Sequence, residues 1–215
     1  MKHAADGKHA SEGSNAANGA SRGSGRPIDL PPFDEKHGAY NVIVDTPRGS
    51  RNKYAYDEAT GLWTLGKLLP AGMSFPYDFG FVPGTRAGDG DPLDVLVLAD
   101  EGSFVGCWIR VRLVGVVELE QKQRGKTVRN DRLLAVPIYH NRTVELESVA
   151  DLDAEKRAEI QHFLVAYHAL DRVHVTLLGT GGPDEARAIV EMAVEDAGRS
   201  SSRGASSRAR TARAK

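Results

Sequence analysis

The chain has 215 residues, 40% of them hydrophobic, with 28 basic and 29 acidic side chains and a formal net charge of −1. That length fits one domain with tails, and that apolar content supplies one ordinary core. No stretch approaches ~18 consecutive apolar residues, so no membrane span is expected, and the lone Cys107 excludes an internal disulfide and suits a reducing compartment.

The charge is unevenly placed: residues 199–215 carry +6 and residues 1–26 carry +2, which leaves −9 on residues 27–198. Residues 1–26 are rich in Ala, Gly, Ser and Asn and are predicted to be disordered, because they cannot bury enough apolar area to offset ordering entropy. No apolar run follows Lys2 and Lys8, so export is not expected and a cytoplasmic location is. The basic segment 199–215 is also predicted to be disordered, with weak, salt-dependent nucleic-acid contact as its one evident capacity. Residues 27–198 form the predicted domain.

Within that domain, strand signals come first. Tyr40 to Asp45 alternates, and Leu62 to Leu65 follows a turn at Thr60-Gly61. Phe79 to Val82, Leu93 to Leu98 and the long run Trp108 to Leu119 come next. In that run Trp108, Arg110, Arg112 and Val114 share one face, opposite Ile109, Val111 and Leu113. The flanks of Cys107 predict a buried structural thiol. Arg124-Gly125-Lys126 reads as a hairpin tip, from which Leu133 to Val136 returns. A helix over Ala154 to Leu170 places Ile160, Phe163, Leu164 and Tyr167 inward, with Asp153 as N-cap. After a strand over Val173 to Leu178, Gly179 to Gly182 reads as a turn. Pro183 opens a second helix that buries Ala186, Ile189, Val190 and Ala193 and is expected to stop at Gly198. Many short strands with two late helices predict an α+β domain whose sheet is a small closed barrel.

The segment with the most chemistry is Asp89-Gly90-Asp91-Pro92-Leu93-Asp94-Val95-Leu96-Val97, three carboxylates within six residues leading straight into a strand. Such carboxylates raise each other's pKa unless cations sit between them, and hard divalent ions suit oxygen ligands. Read alone, the turn is equally well an acidic surface loop. It does not fit an EF-hand, since Leu93 stands where a third Asp or Asn is needed.

Upstream lies Phe75-Pro76-Tyr77-Asp78-Phe79-Gly80-Phe81-Val82-Pro83-Gly84. Together with the triple-Asp turn it resembles the soluble family I inorganic pyrophosphatases. The likeness extends through Asn41 to Pro47, Lys53-Tyr54, Leu133 to Pro137 and Ile160 to Tyr167, and so covers roughly residues 38 to 178. It implies an OB-like barrel of about five main strands flanked by two helices near the C-terminus. It also implies an inorganic diphosphatase that hydrolyses pyrophosphate with several Mg²⁺ ions, is cytoplasmic and forms a homo-oligomer.

Residue by residue, the resemblance makes Asp89, Asp91 and Asp94 metal-facing, with Asp91 also accepting the proton of the nucleophilic water. It gives Lys53, Lys67, Arg132 and Tyr167 to the substrate phosphates. Several positions depart from the pattern. Ala55, Asn130 and Gln121 stand where acids are expected, Phe75 and Phe79 where tyrosines are, and His168 where a lysine is. Asp45, Asp131 and Glu120 are the acids that could compensate. These departures leave two alternatives open: a hydrolase of another small phosphoanhydride, or a non-catalytic phosphate- or metal-binding relative. A nucleic-acid-binding OB domain is disfavoured by the acidic core.

Overall fold

The computed structural model describes residues 25–123, 125–142, 144–169 and 173–212; expectations for residues 1–24, Arg124, Leu170 and 213–215 lie outside them. Ten strands and two α-helices follow in order: β1 (Phe33–Asp34), β2 (Ala39–Thr46), β3 (Asn52–Asp57), β4 (Leu62–Leu68), β5 (Asp78–Val82), β6 (Leu93–Val97), β7 (Trp108–Gln123), β8 (Lys126–Arg129), β9 (Arg132–Pro137), α1 (Ala154–Ala169), β10 (His174–Gly181) and α2 (Pro183–Ala212).

The main sheet runs β1-β2-β5-β6-β9-β7-β10, and a further pairing of β2 with β7 closes β2, β5, β6, β9 and β7 into a ring. This is the closed barrel that the strand pattern predicts, with the five strands that the family resemblance implies. All its pairings are antiparallel except β6 with β9. Alternate side chains feed two apolar clusters. Leu96, Leu134 and Val136 join Phe75, Phe79 and the inner face of α1, while Val95, Val97, Leu133 and Ala135 join Ala186, Val190 and Ala193 of α2. The β3–β4 hairpin stands outside the ring as a separate two-stranded sheet.

Period-two reasoning along β7 holds as far as Val114. A register shift between Leu113 and Gly115 then reverses the parity. Val116 therefore packs with Val111 and Leu113, whereas Val117 and Leu119 join Val114. A bulge of this kind bends the strand, which lets one long element serve several neighbours. Where β2 meets β5, glycine is obligatory: a Cβ on Gly80 would fall 2.2 Å from the carbonyl oxygen of Ile43.

The helices start as predicted. Asp153 Oδ1 accepts the Lys156 amide at 2.7 Å, capping α1, and α1 buries Ile160, Phe163, Leu164 and Tyr167. Pro183 opens α2, whose Glu185 carboxylate accepts the Gly182 amide.

Three expectations are corrected. Gly198 does not stop α2, which continues to Ala212. The cost of a helical glycine, about 1 kcal/mol, is met in part by Arg199 pairing back to Glu195 at 2.7 Å and Asp196 at 3.3 Å. Gly179 to Gly181 belongs to β10 rather than to a turn, paired with Glu118, Val117 and Val116. Cys107 is half-buried, not buried, and partial burial pushes its thiol above the ordinary range. Among the described residues, no helix is long and apolar enough to cross a membrane.

Candidate active site

One cleft of about 280 Å³ gathers residues from widely separated parts of the chain. The end of β2 contributes Asp45, β3 contributes Lys53 and Ala55, and β5 contributes Phe79 and Phe81. The triple-Asp turn and β6 contribute Asp91, Pro92 and Asp94. Arg132 comes from β9, and Tyr167 with His168 from the last turn of α1. Six residues singled out from the sequence thus meet in one place: Asp45, Lys53, Asp91, Asp94, Arg132 and Tyr167.

The turn itself is built by local chemistry. Gly90 takes φ +100°, a conformation only glycine adopts cheaply, and the Asp91 amide donates to Asp89 Oδ1 at 3.2 Å. Asp89 and Asp91 both reach solvent, yet the surrounding protein withholds enough water to raise both pKa values. For Asp89, the charges of Asp91 and Asp94 push further upward against the turn's own amide bond and Arg132. For Asp91, Asp94 and Glu58 push upward against Arg86. A cation would relieve this directly.

The other two carboxylates already have cations. Lys53 Nζ donates to both oxygens of Asp45, at 2.7 and 2.8 Å. Burial still raises the Asp45 pKa to about 6, with Lys53 opposing and Asp94 adding to the rise. Arg132, only 2% exposed, sets Nη2 3.0 Å from Asp94 Oδ2. Its Nη1 donates to the Asn130 carbonyl at 2.9 Å and to the Asn130 side-chain oxygen. Its Nε finds no hydrogen-bond partner among the described residues.

Where the resemblance predicts two tyrosine hydroxyls, an apolar aromatic cluster stands instead. Phe75 and Phe79 meet edge to face at 5.6 Å, and Phe75 contacts Tyr167 at 5.4 Å. Phe79 lies between two cations, with Lys53 Nζ 4.2 Å and the Arg132 guanidinium 5.9 Å from its centre. Lys67 stands 3.7 Å over the Tyr167 ring and donates to the Tyr167 carbonyl at 3.3 Å. Gln121 and His168, two separate departures in sequence, touch: the amide nitrogen lies 3.0 Å from His168 Nε2.

Two expected compensating acids do not reach the cleft. Asp131 points away from its neighbour Arg132, accepts the Leu119 amide at 3.0 Å and binds Arg129 at 2.6 Å. Glu120, on β7 between β8 and β10, is not among the lining residues. Asp45 is the one of the three that lines it. Glu58, Tyr56 and Ile28 also line the cleft; nothing in their sequence context marks them.

Among the described residues, no three His, Cys, Asp or Glu side chains form a ready-made metal cage. The turn nevertheless offers hard oxygen donors in an exposed, uncompensated setting. That suits Mg²⁺-like ions, which keep several waters and bind through one or two carboxylates plus substrate phosphates. The residues present fit a divalent ion at Asp89 and Asp91.

Comparison with known proteins bears on the same cleft. The family model for inorganic pyrophosphatase matches residues 42–198. The chain is similar to the inorganic pyrophosphatase of Synechocystis sp., 34% identical over 165 residues covering 77% of this chain and 95% of that one. It is 39% identical to that of Streptomyces coelicolor over 132 residues, 61% of this chain and 78% of the relative. The crystal structure of inorganic pyrophosphatase from Thermus thermophilus superposes with a TM-score of 0.73 at 30% identity, covering 80% of this chain and 98% of that one. A closed five-stranded ring, a triple-Asp turn at the start of β6 and a match across most of the domain agree, and the chain belongs to the family I inorganic pyrophosphatases, which use a divalent metal.

Proposed function

We propose that the protein hydrolyses inorganic pyrophosphate to two phosphates, with Mg²⁺ as its ion, and that residues 27–198 are the catalytic unit. The observation that carries this reading is the single cleft in which Asp91 and Asp94 face Lys53 and Arg132. A small polyanion needs cations on one side and a hydrated divalent ion on the other.

Asp89 and Asp91, backed by Asp94, form the ion-binding side. A hard divalent ion supplies charge neutralisation for phosphoryl oxygens and makes water a competent nucleophile near neutral pH. Asp91 would accept the proton of the attacking water, a role its raised pKa favours. Lys53 and Arg132 hold phosphate oxygens, Lys67 keeps positive charge beside Tyr167, and the Tyr167 hydroxyl donates to the substrate. Phe75 and Phe79 exclude water behind these groups, which strengthens each charge interaction in front of them.

The protein is expected to act as a cytoplasmic homo-oligomer, with weak, salt-sensitive nucleic-acid contact through its basic segment 199–215. Phosphate release from pyrophosphate, measured with Mg²⁺ and after chelation, tests the activity. Ion-dependent release supports it, and no release at saturating Mg²⁺ refutes it.

A further inference from the structure

The four aspartates around the cleft fall into two groups. Asp45 is neutralised by Lys53 and Asp94 by Arg132, each through a direct ion pair. Asp91, which lines the cleft, and Asp89, two residues before it in the turn, make no ion pair among the described residues, and beyond Asp94 the charges acting on Asp91, Glu58 and Arg86, are of opposite sign. Two unbalanced negative charges remain, which is the charge of one divalent ion.

The Asp94–Arg132 pair is not easily opened. Arg132 is buried, and its guanidinium is pinned by the carbonyl and side-chain oxygens of Asn130 as well as by Asp94. An ion ligated by Asp94 would have to sit beside a fixed positive charge or displace it. Displacement would leave a buried guanidinium without its counter-charge, and loss of one member of a buried pair is strongly destabilising. Ala55, which lines the cleft, is neutral, and among the described residues the lining acid besides Asp45, Asp91 and Asp94 is Glu58, whose charge acts on Asp91.

We propose that the resting protein holds one divalent ion, at Asp89 and Asp91, and that the guanidinium of Arg132 supplies on the Asp94 side the positive charge a second ion would bring. Arg132 is then a built-in cation whose planar guanidinium is held in fixed orientation by Asp94 and Asn130. Additional ions enter only with pyrophosphate, as its counter-ions. The inference rests on reading the cleft as the pyrophosphate site.

Equilibrium dialysis against Mn²⁺ without pyrophosphate tests it. The wild-type protein should bind one ion, and Arg132→Gln should bind two, the second raising its melting temperature. Asp94→Asn should retain the single ion. Two or more ions on the wild-type protein, one ion on a folded Arg132→Gln, or loss of the ion from Asp94→Asn would each overturn the proposal. If Arg132→Gln folds only when Mn²⁺ is present, that dependence supports it, because the ion is then replacing the lost guanidinium. Pyrophosphate turnover on the same samples separates the two readings: one ion without turnover sinks the activity and spares this inference, and turnover with two resident ions does the reverse.

Discussion

Lys53 presents its ammonium group to the face of the Phe79 ring at 4.2 Å while donating to both oxygens of Asp45. The ring fixes the amine at the cleft wall, and the carboxylate holds it there by an ion pair. Replacing it should therefore have two separable effects. Lys53→Met should raise KM for pyrophosphate at least tenfold. It should also lower stability by roughly 3–5 kcal/mol, because Asp45 is left buried without a counter-charge. Adding Asp45→Asn should restore most of the melting temperature but not the KM. A double variant that recovers both would place the substrate contact elsewhere.

Asp91→Asn should fold normally, since the side chain is exposed and the change nearly isosteric. Turnover should fall by ~10²–10⁴, the usual worth of a positioned proton acceptor. Steady-state kinetics at saturating Mg²⁺ read this, and wild-type turnover would remove Asp91 from its proposed role.

Asp45 and Asp34 should push acid stability in opposite directions. The Asp45 pKa is raised from 3.8 to about 6, chiefly by burial, so the fold keeps a proton that the unfolded chain has released. Its stabilising contribution is full below the unfolded value and is lost as pH rises through about 6. Asp34 is lowered to about 2, first by the hydrogen bond from Arg110 and also by His37. Its contribution is present above the unfolded value and lost as pH falls toward about 2. Melting temperatures against pH should flatten between about 4 and 6 in Asp45→Asn, and only below about 4 in Asp34→Asn.

Gly80→Ala should cost about 3 kcal/mol or more, the upper end for overpacking. The added carbon would meet the Ile43 carbonyl at 2.2 Å and the Val44 Cα at 2.9 Å. Both are backbone atoms of a paired strand, so neither can swing aside. Urea unfolding would measure the loss, and a cost below about 1 kcal/mol would mean that β2 and β5 yield at this point.

Much of this architecture can be read from the residues, where burial imposes a period. Val95, Leu96 and Val97 mark β6 because neighbours on both faces need apolar partners, and Ile160, Phe163, Leu164 and Tyr167 mark α1 in the same way. β3 is silent because Asn52 to Asp57 pairs only with β4, off the ring, and remains half-buried. The parity reversal at Leu113 and Gly115 is equally invisible, since a bulge is set by the partner strand β9. At Gly198 the local stop signal is overruled by charged pairs one turn away. In the cleft, the charged residues are legible and their pairings are not. Asp94 and Arg132 lie far apart in the chain and meet through β6 beside β9, the one parallel pairing of the ring. Asp131 fails to reach the cleft because alternation along the strand gives that face to Arg132.

The ring has a further consequence for how the protein comes together. The first half of the chain supplies β2, β5 and β6, and the second supplies β7 and β9, so the two halves join in the ring at β2–β7 and β6–β9. Asp45, Lys53, Asp91 and Asp94 travel with the first half; Arg132, Tyr167 and His168 travel with the second. Neither half owns a complete set of charges. Catalytic competence should therefore arrive in one step with barrel closure, as a late folding event. These long-range pairings also carry a loop-closure cost that local hairpins avoid, so closure should be slow. A chain cut in the connection between Val97 and Trp108 would be a split enzyme, active only when its fragments associate.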